Sequence, residues 1–115
     1  MESYIRNQKD IEYMKNPNPK HIEVYGQLLS SEKENGRLSA HRTSVKPGGE
    51  IVPHTHEVLE VIYVLEGEGS ALVNGERIAA EPGAIVVANI GSVHGFLNTG
   101  ATDLVLFCVF SPGIA

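Results

Sequence analysis

Four side chains stand out by type and spacing: His54, His56, Glu60 and His94. Neutral imidazoles together with a carboxylate suit a divalent transition metal ion such as Fe, Mn, Ni, Co, Cu or Zn. The chain has only five histidines in 115 residues, and two of them fall within His54-Thr55-His56. Alternate residues of a strand share a face, so this tripeptide sets two imidazoles on one side. Three neutral imidazoles and one carboxylate around a divalent ion leave a net charge of about +1, which attracts anionic oxygen ligands such as carboxylates, enolates or hydroxide.

Sharing one ion constrains the elements that carry these groups. In an extended strand Glu60 would lie about 13 Å from His56, whereas ligands must come within about 2.0–2.2 Å of the ion. A common site therefore requires a turn at Glu57-Val58-Leu59, with the histidines ending one strand and Glu60 beginning the next. His94 lies 34 residues beyond Glu60 and must arrive from a distant strand. That demands a closed or strongly curved sheet.

Turn signals recur at short intervals: Asn35-Gly36, Pro47-Gly48-Gly49, Gly67-Glu68-Gly69, Asn74-Gly75, Pro82-Gly83, Asn89-Ile90-Gly91 and Asn98-Thr99-Gly100. Strand-like runs lie between them at residues 37–45, 60–65, 70–73, 85–88, 95–97 and 103–110, with an earlier one at 22–29 that pairs through a loop over 30–36. This rhythm predicts an all-β sandwich or barrel. Asn74-Gly75 has the composition of a type I′ hairpin. Residues 1–20 differ: they are more polar and end in Asn16-Pro17-Asn18-Pro19, which no central strand or helix interior tolerates. They are expected to form an N-terminal arm, with a short helix over residues 7–14 as one option, and residues 21–115 to form the barrel domain.

Size and charge narrow the function classes. The length supports one domain, and the 42% hydrophobic content fits a globular protein. The net charge is −5, and the nine basic residues are scattered, so neither a nucleic-acid nor an anionic-membrane partner is expected. No apolar run nears the length of a membrane helix, and the charged opening Met1–Asn7 lacks the apolar region of a secretory leader. The cytoplasm is the expected compartment. One cysteine, Cys108, allows no disulfide within the chain and reads as a small core residue.

The residues around the four ligands resemble the two motifs of the cupins. The first motif is a glycine, five residues, His-x-His, three or four residues, Glu, six residues and a glycine. It is matched from Gly48 through His54, His56 and Glu60 to Gly67. The second motif is a glycine, five residues, Pro-x-Gly, two residues, His, three residues and Asn. It runs here from Gly83 through Gly91 and His94 to Asn98, with Asn89 in place of the proline. Asparagine also accepts turn conformations. The resemblance implies a single jelly-roll β-barrel with the metal inside, held by His54, His56, Glu60 and His94. It also implies a homodimer to which an N-terminal arm contributes.

Other polar residues carry weaker expectations. Strand alternation turns Ile62 and Val64 inward as pocket wall. Only one of His41 and Arg42 can face the cavity: an inward Arg42 would bind a substrate carboxylate through both nitrogens, an outward one would sit in a surface ion pair. Glu57 is a solvated turn charge or a partner that orients a ligand histidine. Tyr25 and Gln27 on the first strand are candidates to reach the pocket, with the core as the alternative for Tyr25; His21 reads as a surface residue, and Asn98 as a turn or hydrogen-bonding residue. Three functions remain open: a metal-dependent enzyme of dioxygenase or decarboxylase type on a small organic anion, a non-catalytic small-molecule binding or sensing module, and a sugar isomerase or epimerase. None of the residues identifies a general acid or base.

Overall fold

The computed structural model describes residues 1–115 and is almost entirely β. A 3-10 turn at Gln8–Asp10 precedes β1 (Met14–Lys15), β2 (Ile22–Ser30) and a one-turn helix α1 (Glu32–Asn35). There follow β3 (Ser39–His54), β4 (Leu59–Glu66), β5 (Gly69–Val73), β6 (Glu76–Ala80), β7 (Ile85–Ala88), β8 (His94–Asn98) and β9 (Leu104–Ser111). All pairings are antiparallel, in the order β6-β5-β8-β3-β9-β4-β7, with β2 also on β3 and β1 on β2. Strands distant in sequence become neighbours, as a curled jelly-roll sheet requires.

The 16-residue β3 organises the curl. Its first half, Ser39–Val45, pairs with β9, and its second half, from Glu50 to His54, pairs with β8. The turn expected at Pro47-Gly48-Gly49 is instead a bend inside this one strand. Gly48 takes a φ of +76°. A Cβ on Gly49 would meet the Ile22 carbonyl at 2.6 Å. The glycines thus let the strand bend against β2 without ending.

The Asn74-Gly75 hairpin forms as expected, with φ of +47° and +86°. Its second strand, β6, was not anticipated from Glu-Arg-Ile-Ala-Ala. It is an edge strand whose residues are exposed except Ala80, so no alternating pattern marks it. The expected loop over 30–36 contains α1. Glu34 accepts from the Ser31 N–H at 3.0 Å and from its hydroxyl at 3.1 Å, a capping arrangement that starts the helix.

The 3-10 turn takes the place of the optional helix over 7–14. Behind it the arm is tied to β2 through Gln27. Gln27 Nε2 donates to the carbonyls of Gln8 at 3.0 Å and Ile11 at 2.6 Å, and its Oε1 accepts from Gln8 Nε2 at 2.8 Å. Gln27 therefore serves the arm and not the pocket. Arg6 adds an ion pair to Glu34 at 2.6 Å.

The core lies between the curled faces and centres on Val24, Val45, Ile62, Val64, Phe96, Leu104, Leu106 and Phe110. Burying each large side chain contributes about 1.5–3 kcal/mol. Ile62 and Val64 face inward, as alternation from Glu60 requires.

Candidate metal centre and its pocket

Three strands and one turn deliver the four polar groups. His54 closes β3, His56 sits in the following turn, Glu60 is the second residue of β4, and His94 opens β8 directly opposite His54. The expected turn lies between His56 and Glu60, with the difference that His56 is already off the strand. Ring centroids are 4.5 Å apart for His54 and His94, 4.8 Å for His56 and His94, and 5.4 Å for His54 and His56. One ligand atom from each of the three histidines falls within 4.8 Å of the others.

Backbone carbonyls fix the orientation of all three rings. Nδ1 lies 2.7 Å from the Val52 oxygen in His54, 3.1 Å from the Val58 oxygen in His56 and 2.9 Å from the Ser92 oxygen in His94. A carbonyl only accepts, so each Nδ1 is the protonated nitrogen, and each neutral ring keeps a bare lone pair on Nε2. The Nε2 atoms of His56 and His94 lie 3.1 and 3.0 Å from Glu60 Oε1. A bare nitrogen lone pair facing a carboxylate repels it unless a proton or a cation stands between them. Glu60 is buried at 6% exposure and His94 at 2%. Three oriented Nε2 donors with a buried carboxylate fit a divalent transition metal ion.

Burial sets the charge preferences around this cluster. It lowers the pKa of His54, with the Val52 carbonyl opposing and the other two rings adding to the effect. For His94 burial also disfavours the charged ring, but the hydrogen bonds to Glu60 and Ser92 outweigh it and the pKa is raised.

The cluster lies in a cavity of about 460 Å³ whose walls include Ile51, Ile62, Phe96, Leu106 and Phe110. Its rim carries Met14 to Asn18 from the arm and Ile114 and Ala115 from the other end of the chain. Of the weaker candidates, Arg42 points away from the cavity and pairs with Glu66 at 2.9 Å. Glu57 is exposed in the turn. Tyr25 donates to Glu23 at 2.6 Å and does not line the cavity. Asn98 is buried and ties the Val45 and Thr102 carbonyls together, a turn-holding role. Cys108 is buried at the cavity wall, where burial first and the Glu60 charge second push its thiol well above the ordinary range.

His21 differs from its expectation, and His41 is the member of the His41–Arg42 pair that faces the cavity. His21, expected on the surface, has its ring 5.1 Å from that of His54. His41 faces inward, 5.2 Å from Phe110 and edge-on to it. Burial lowers the pKa of both. For His41 a signal existed: it shares parity with Thr43 and Val45, while Arg42 shares parity with Lys46. No pattern marked His21, which follows the proline-rich end of the arm.

A curled antiparallel sheet with a histidine cluster in its mouth defines the class, and the chain belongs to the cupin family: the family described as Cupin domain matches residues 41–110. The chain is 36% identical over 85 residues to an oxalate-binding protein of Thermotoga maritima, covering 71% of this chain and 69% of the relative. It is 31% identical over 83 residues to an L-ectoine synthase of Bordetella petrii, covering 70% and 62% respectively. The match thus spans less than two thirds of that synthase. Among solved structures, a predicted oxalate decarboxylase from Thermotoga maritima superposes with a TM-score of 0.83 at 27% identity, covering 94% of this chain and 98% of its own.

Proposed function

We propose that this chain is a metal-dependent enzyme of dioxygenase or decarboxylase type, acting on a small organic anion at a site made by His54, His56, Glu60 and His94. One observation carries the reading: three Nδ1–H groups are anchored on carbonyls, so that three bare Nε2 atoms meet beside a buried carboxylate. A bound divalent ion would supply Lewis acidity and, where redox-active, electron transfer to dioxygen. The protein's own part is to hold the four donors at fixed orientation and to surround the anion with an apolar wall that sheds water. One relative, named for binding oxalate, supports small-anion chemistry, and another, named as an L-ectoine synthase, supports an enzyme acting on a small organic molecule.

A second reading, a binding module without turnover, is favoured by the 36% identity to a protein named only for binding. Loading the protein with Fe, Mn, Ni, Co, Cu or Zn and following oxygen uptake and carbon dioxide release over a panel of carboxylic acids separates the two. Turnover with any acid supports the enzyme. Binding with no chemical change across the panel supports the module.

We further infer a homodimer. Its support is an exposed apolar face on the outside of β4, β7 and β9, where Val61, Tyr63, Ile85, Val87 and Phe107 sit in cross-strand register. Contiguous apolar surface of this kind marks interfaces. No helix is long and apolar enough to cross a membrane, and the one cysteine is a free thiol, as a reducing cytoplasm would keep it.

A further inference from the structure

Two imidazoles in the cavity lie outside the three-histidine cluster, and their own hydrogen bonds assign the proton of each. Nδ1 of His21 accepts the Val52 amide N–H at 3.1 Å. A nitrogen that accepts carries no proton, so the ring holds its proton on Nε2. His41 Nε2 lies 2.8 Å from Ser39 Oγ. Ser39 is fully buried, and its Oγ already accepts the Ile114 N–H at 3.0 Å. The hydroxyl proton has one acceptor in reach, His41 Nε2, and leaving it unpaired in the interior would be costly. His41 therefore carries its own proton on Nδ1.

Neither His21 Nε2 nor His41 Nδ1 meets a protein acceptor. No buried side-chain nitrogen or oxygen is left without a partner, so these two N–H groups reach accessible space, and both rings line the cavity. Their positions differ. His21 stands beside His54 at the metal end. His41 packs on Phe110, whose other neighbour, at 5.4 Å, is His56. Apolar walls lie around both, and a two-carbon diacid would leave most of a 460 Å³ cavity to water.

We propose that His21 and His41 are a two-point recognition set for oxygen acceptors. The substrate is then a carboxylate with an apolar body and a second oxygen group, an aromatic or branched dicarboxylate or oxo acid. This deepens the small-anion reading and rests on it. His21 takes an oxygen of the carboxylate at the metal end, and His41 takes the distal group. Each hydrogen bond to a charged oxygen beside these apolar walls discriminates against a ligand lacking it.

The test pairs two measurements on the same samples. Calorimetric titration compares benzoate and oxalate with the three benzenedicarboxylate isomers, and elemental analysis reports metal content. The proteins are wild type, His21→Phe, His41→Phe, and the amide variants His21→Gln and His41→Asn, which put an N–H donor near the original one. Wild type should bind at least one dicarboxylate isomer about tenfold or more tighter than benzoate or oxalate. His41→Phe should lose that preference with metal content unchanged, His41→Asn should recover part of it, and His21→Phe should weaken benzoate and dicarboxylate alike. Should His41→Phe not fold, His41→Leu takes its place. A wild type without the preference, or a preference that survives both Phe variants, overturns the proposal. A wild type that binds no metal yet shows the histidine-dependent preference sinks the metal reading and leaves the recognition set standing.

Discussion

Glu60 Oε1 sits 3.0 Å from His94 Nε2, while His94 Nδ1 is held 2.9 Å from the Ser92 carbonyl. The ring donates Nδ1–H to that carbonyl, so a neutral His94 turns a lone pair toward the carboxylate. The pair is thus built to be bridged by a cation.

His56→Ala should remove most of the bound metal. It takes away an Nε2 that touches Glu60 at 3.1 Å, and even losing a group that merely orients a ligand costs about 10–100-fold in metal affinity. Elemental analysis after dialysis reads the result. Metal content equal to wild type would rule the site out.

Gly95→Ala tests the backbone behind the site without touching a ligand. A Cβ there would meet the Ile51 carbonyl at 2.6 Å and the Pro53 nitrogen at 3.1 Å. Strand β8 must then move off β3, taking His94 with it. The expected cost is about 1–3 kcal/mol of stability, seen as a lower urea midpoint, together with reduced metal content. A stable variant with full metal would show that β8 can shift independently of the cluster.

Gln27→Ala should loosen the arm. It deletes three hydrogen bonds and leaves the Gln8 and Ile11 carbonyls without that donor, at about 1–3 kcal/mol. Faster amide exchange and faster proteolysis in residues 1–15 are the readouts, with the barrel strands unaffected.

The Arg6–Glu34 pair gives the arm a pH dependence. The Arg6 guanidinium, followed by the Ser31 amide, lowers the Glu34 carboxyl to about 2 from an ordinary 4.5. Because the folded value is the lower one, the contribution is present above about pH 4.5 and is lost as pH falls toward 2. Arm protection measured by exchange from pH 5 down to 2 should fall, and Glu34→Gln should flatten that dependence. The pair is exposed, so the effect is small and screened by salt.

On the outer face, Phe107→Glu should shift the proposed dimer to a monomer in light scattering behind a sizing column. Phe107 is 37% exposed and opposes Tyr63 across β4 and β9. A charge there must be desolvated if the face is covered. An unchanged mass would remove this face from consideration as the interface.

Much of this architecture was legible because turns and ligands leave strong local marks. The His-x-His pair, the need to turn before Glu60, and the Asn74-Gly75 hairpin all follow from period and side-chain chemistry. What stayed hidden depends on long-range pairing. The bend at Gly48-Gly49 looks like a strand end until β8 and β9 are seen to share β3. Edge strand β6 has no buried face to print an alternation. His21 enters the cavity only because the arm folds back over β2, which no local pattern records.

The rim of the cavity carries a practical consequence for handling the protein. Met14–Asn18 and Ile114–Ala115 both line it. The Ala115 carbonyl accepts from the Glu32 N–H at 2.7 Å, and the Ile114 N–H holds the serine that orients His41. A bulky group placed at Ile114 or Ala115 would crowd the cavity and pull on that serine, altering access and His41 together. The same group within residues 1–13 would sit outside the cavity lining, on an arm anchored at Gln27.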